Sequence, residues 1–141
     1  MNQREGTVFE QNLMALIPER ISRFQKIRGG PDPYFFDRWD ADREDKRIML
    51  YWFWNKERTS KNHKRLFIAE MEELVENICK GGIINKTKFK SCCPRTNGDG
   101  GCGYAVILSV LSFCSCIQPL DRENWKVDSG KAYALLREPW Q

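Results

Sequence analysis

The chain has 141 residues, of which 41% are hydrophobic and 30% charged, and carries a net charge of +4. That length suits one domain whose core needs no metal or disulfide staple, and the composition excludes a disordered or low-complexity chain. The longest apolar run, 48–54, is far too short to span a bilayer as a helix. The first ten residues lack the apolar segment of a secretory signal, so the six cysteines read as reduced thiols and a cytoplasmic setting is expected.

From the N-terminus, Phe9, Leu13, Leu16, Ile17, Ile21 and Phe24 recur three and four apart. This predicts helix across 7–28, broken or kinked at Pro18 and ended by the "GGPDP" that follows. Next, Asp40 or Asp42 stands where it caps a helix whose first turn holds Glu44 and Asp45. The run "IMLYWFW" is hydrophobic on all sides, as a central buried helix is; a buried strand of that length has the same pattern. Trp52, Phe53 and Trp54 are expected to anchor the core, although bare rings are also what a stacking site needs.

Residues 60–79 predict the clearest helix, with Leu66, Ile68, Met71, Leu74, Val75 and Ile78 on one side. Glu70, Glu72, Glu73 and Glu76 lie on the other, and Gly81 and Gly82 stop it. Residues 91–116, "SCCPRTNGDGGCGYAVILSVLSFCSC", hold five of the six cysteines. We read them as the end of a short helix (87–93) closed by Pro94, a glycine-rich corner, and a buried helix over 104–117. Beyond it, Trp125 and Val127, the pair Ser129-Gly130, then Tyr133 and Leu135 predict a hairpin over 125–136. The expected fold class is mainly α (α+β) in a single domain, with a helical, aromatic-rich part (1–59) and a second part (60–141) ending in the hairpin.

The order helix, short basic segment, glycine corner, apolar helix and hairpin resembles the winged-helix family, a variant of the helix-turn-helix, over roughly residues 60–136. The resemblance implies a DNA-binding module whose short helix begins among Lys86, Lys88 and Lys90, where such domains commonly touch phosphate, and whose wing is 125–136. It departs from the family on the second helix, because no Lys or Arg occurs between Arg95 and Arg122. Guanine readout through that helix is therefore not expected, and burial explains it better.

Competing chemistries find little support. Cys92-Cys93, Cys102 and Cys114-x-Cys116, with a lone His63, do not form the paired spacings of a zinc site. Neither metal nor cofactor is expected, and the thiols read as small buried hydrophobes. No base stands beside a thiol in the sequence, so no catalytic residue is assigned and an enzyme is not expected. Asp32, Glu44 and Lys46 match the letters of a metal-dependent nuclease motif, but Glu44 and Lys46 fall in a charge run. "GDGGCG" lacks the lysine of a phosphate-binding loop.

What remains is basic. Lys56, Arg58, Lys61, Lys64 and Arg65 crowd one segment, Lys80, Lys86, Lys88 and Lys90 another, and Lys126 and Lys131 flank the predicted wing. These point to a non-enzymatic nucleic-acid-binding accessory or regulatory protein that contacts the phosphate backbone. The alternative is a protein-interaction module, an adaptor or inhibitor docking on a larger complex through Tyr34, Phe35, Phe36 and Trp39.

Overall fold

The computed structural model describes residues 6–17, 23–24, 33–99 and 103–139. Helix α1 (Val8–Leu16) opens on a capping box: the Thr7 hydroxyl accepts from the Glu10 N–H at 3.1 Å, and the Glu10 carboxylate accepts from the Thr7 N–H. Phe9, Leu13 and Leu16 turn into the core. The helix expected over 7–28 already ends at Ile17, whose backbone is extended, because the ring of Pro18 disfavours helical geometry in the residue before it.

The expectation of a mainly α chain with a helical N-terminal part is overturned here. After α1 come strands β1 (Arg23–Phe24), β2 (Tyr34–Ala41), β3 (Arg47–Trp54) and β4 (Lys61–Phe67), in an antiparallel sheet of that order. Asp42 does not cap a helix. Its carboxylate accepts from the N–H groups of Glu44 and Lys46, making an Asp-led turn with Asp45 at φ 61°. Likewise Asn55 accepts from the Thr59 and Ser60 N–H groups and closes the β3–β4 connection. The apolar run is thus β3, paired on both sides, and its aromatic content suits a pleated surface. The helix expected over 60–79 splits in two: β4 alternates exposed and half-buried residues up to Arg65, and α2 (Ile68–Ile78) then buries Ile68, Met71, Leu74, Val75 and Ile78.

The second half holds β5 (Ile83–Ile84), α3 (Lys86–Cys92), α4 (Pro94–Gly98), α5 (Gly103–Phe113), β6 (Ile117–Pro119), β7 (Trp125–Val127) and α6 (Ser129–Arg137). Its three strands form a small antiparallel sheet ordered β5-β7-β6. The short helix α3 ends just before Pro94, which also opens α4; Glu70 of α2 caps α4, accepting from the N–H groups of Arg95 and Thr96 and from the Thr96 hydroxyl. The apolar helix is α5, buried from 106 to 111, and the chain leaves it through Ser115 at φ 61°.

The hairpin falls earlier than expected, as β6 and β7, and the chain does not end on it. Residues 129–137 are helical because Asp128 accepts from the Lys131 N–H at 3.0 Å, and Ala132, Leu135 and Leu136 bury one helical stripe. Asn12 ties α1 to α6, donating to the Leu135 and Glu138 carbonyls at 2.8 and 2.9 Å. One core joins α1, the inner face of the larger sheet, α2, α5 and α6. Among the described residues no helix is long and apolar enough to cross a membrane.

Candidate nucleic-acid interface

Successive residues of a strand point to opposite sides, and β3 has apolar residues on both. Met49 and Tyr51 are buried in the core, and Phe53 packs against it. Trp52, Trp54 and Leu50 stand on the opposite face, half-buried and outside the core cluster. The strand register brings Phe35 and His63 to either side of Trp52, and Lys61 beside Trp54. Phe35 and Trp52 stack with centroids 4.3 Å apart and planes within 17°, while Trp54 meets Trp52 edge-on at 5.2 Å. Lys61 Nζ lies over the Trp52 ring, 4.4 Å from its centroid. Lys56 and Arg58 are exposed in the β3–β4 turn beside this row. Among the described residues this sheet face therefore carries three half-buried rings, with Lys56, Arg58 and Lys61 and one carboxylate, Glu57, at its margin.

The other end of the same face is closed. Arg38, Leu50 and Arg65 share one row, and the next ends on Phe67, buried beneath the Arg65 and Arg95 guanidinium groups. Asp99 accepts from the Arg65 backbone N–H at 2.6 Å and from Arg65 Nε and Nη2 at 3.1 and 2.8 Å. Burial raises the Asp99 pKa, but the Arg65 hydrogen bonds and charge outweigh it and hold the carboxyl below its ordinary range. Arg65 is thus committed to pinning α4 against β4. Lys64 is half-buried at the register position of Tyr51. Asp40, Asp42 and Glu44 line a groove at this closed end together with Arg43 and Arg95.

The second basic group lies elsewhere. Lys86, Lys88 and Lys90 are exposed on α3, whose Phe89 is buried and whose N-cap Asn85 accepts from the Lys88 N–H. Lys126 of β7 is exposed opposite Ile83 and Gln118, and the Asn85 amide reaches Asn124 in the β6–β7 turn at 3.2 Å. Lys86 opens the helix that follows β5, and Lys126 is the middle residue of the central strand β7, whose preceding turn carries Asp121 and Glu123. Among the described residues none of these lysines forms an ion pair. Lys80 follows α2 and Lys131 lies in the first turn of α6, both exposed.

The four aromatics considered for protein docking divide by side. Tyr34 is buried, edge-on to Tyr51 and Phe53; Phe36 and Trp39 pack together and against the core; Phe35 alone joins the outer row. Sequence reasoning placed Trp52 and Trp54 in the core, whereas they belong to the outer face. The signal for that was the strict alternation a strand imposes once the Asp42 turn is recognised.

Cys93 and Cys116 are buried, and burial pushes the Cys93 thiol well above its ordinary pKa. Cys102 lies outside the described residues. Among the described residues no three His, Cys, Asp or Glu side chains gather in a way that could hold a metal ion. No protein-family model, curated protein or solved structure matches the chain.

Proposed function

We propose that the protein is a non-enzymatic nucleic-acid-binding accessory or regulatory protein that contacts the phosphate backbone through exposed lysines. The observation that carries this reading is the set Lys86, Lys88 and Lys90 on α3 and Lys126 on β7, exposed and without an ion pair among the described residues. Positive charge left unneutralised on neighbouring elements releases counterions when phosphate replaces them, and this term needs no base contact. The reading rests on charge and not on the winged-helix order, because α4 stands between α3 and α5 and the expected wing is β7 followed by α6. Since α5 is buried, the contact falls to α3 and β7.

Charge reversal tests the proposal. A protein carrying Lys86→Glu, Lys88→Glu and Lys90→Glu is expected to lose affinity for duplex DNA by about the same factor on every sequence tried, with its thermal midpoint unchanged. Undiminished binding by the folded triple variant would remove α3 from the interface.

A further inference from the structure

We infer that the outer face of the larger sheet is a stacking platform for single-stranded nucleic acid, formed by Phe35, Trp52 and Trp54 with Lys61 at its edge. This rests on the proposed nucleic-acid reading and adds to the α3 contact a second surface, for a strand whose bases are unpaired.

Three observations carry it. The rings are half-buried but lie outside the core cluster, so the core does not account for their presence on this face. They hold each other, Phe35 on Trp52 at 4.3 Å and Trp54 edge-on at 5.2 Å, so binding costs little further side-chain entropy. The charge around them is net positive: Lys61 sits over Trp52, and Lys56 and Arg58 in the adjoining turn outnumber its one carboxylate, Glu57. The carboxylates of Asp40, Asp42 and Glu44 line the groove at the far end.

Rings alone would suit an apolar partner, and cations alone would suit any polyanion. Rings with cations at their rim suit a ligand that alternates flat π-systems with phosphates. Duplex DNA keeps its base faces inside the helix, so it offers this surface phosphate but nothing to stack. An unpaired strand offers both, with little sequence preference because every base has a π-face.

Two fluorescein-labelled oligonucleotides of about twelve unpaired nucleotides, one deoxyribose and one ribose, and a duplex of the same length test the proposal by anisotropy at low salt. The single strands are expected to quench tryptophan emission on binding. Trp52→Ala is expected to weaken them roughly tenfold or more while leaving duplex affinity unchanged. Trp52→Phe, which keeps a ring, should restore most of the loss; a thermal melt of each variant confirms that it is folded. The two sugars decide between DNA and RNA as the source of the strand. Unaltered single-strand binding by folded Trp52→Ala and Phe35→Ala variants would overturn the platform and leave the α3 proposal standing. Absence of binding to any of the three probes would overturn both.

Discussion

A methyl group added at Gly103 would lie 2.5 Å from Thr96 Cγ2 and 3.2 Å from the Thr96 carbonyl oxygen. The first turn of α5 can approach α4 this closely only because that position has no Cβ. Gly103→Ala is therefore expected to force the two helices apart and to destabilise the fold by about 1–3 kcal/mol. Urea unfolding checks this; an unchanged midpoint would show that Thr96 yields without cost. Asp99 makes a pH prediction of its own. Its folded pKa is depressed, so the stability it contributes is fully present above the ordinary aspartate value of about 3.9 and fades as pH falls through the lower, folded value. Asp99→Asn is expected to lower stability at neutral pH and to flatten the acid limb of the unfolding curve. An acid limb that runs parallel to that of the unmodified protein would place the acid sensitivity elsewhere.

At the scale of elements, the five-residue helix α4 depends on a group from another helix. Glu70 accepts from the Arg95 and Thr96 N–H groups at 2.9 and 2.8 Å and from the Thr96 hydroxyl at 2.7 Å, and that hydroxyl accepts in turn from the Phe67 N–H at 3.2 Å. Glu70→Ala leaves these donors without their acceptor, at a cost of about 1–3 kcal/mol. Faster hydrogen exchange at Arg95 and Thr96 is the expected readout; unchanged protection would mean that another group caps α4. None of this was legible in the sequence, where Glu70 reads as one more charge on the solvent side of α2. The helices were easier to see: α1, α2 and α5 lie within stretches legible from their apolar residues, and Gly81 and Gly82 stop α2. The strands were harder. "IMLYWFW" is apolar at every position, so its period is invisible, and the Asp42 turn that settles it uses the same residue type as a helix cap. In 129–137 the alternation of Tyr133 and Leu135 imitates a strand, although the Asp128 cap decides for helix. The basic residues of the candidate site could be read directly, whereas the platform could not, because it depends on which face of β3 each ring occupies.

Over the whole molecule the basic residues do not gather on one surface: Lys56, Arg58 and Lys61 adjoin the aromatic face of the larger sheet, Lys86, Lys88 and Lys90 lie on α3 and Lys126 on β7, and Arg65 is engaged by Asp99. Three carboxylates are drawn into structure: Glu76 pairs with Arg137, Asp42 with Arg95 and Asp99 with Arg65. A net charge of +4 is too small to hold nucleic acid through the overall field, so the proposed binding requires these local groups.

The salt dependence of duplex binding by the unmodified protein tests this most directly, because it counts phosphates neutralised without assuming which base is met. If Lys86, Lys88, Lys90 and Lys126 each take one phosphate, log K is expected to fall against log salt with a slope of roughly −3 to −4. No detectable binding at low salt, or binding whose strength ignores salt, would contradict the account.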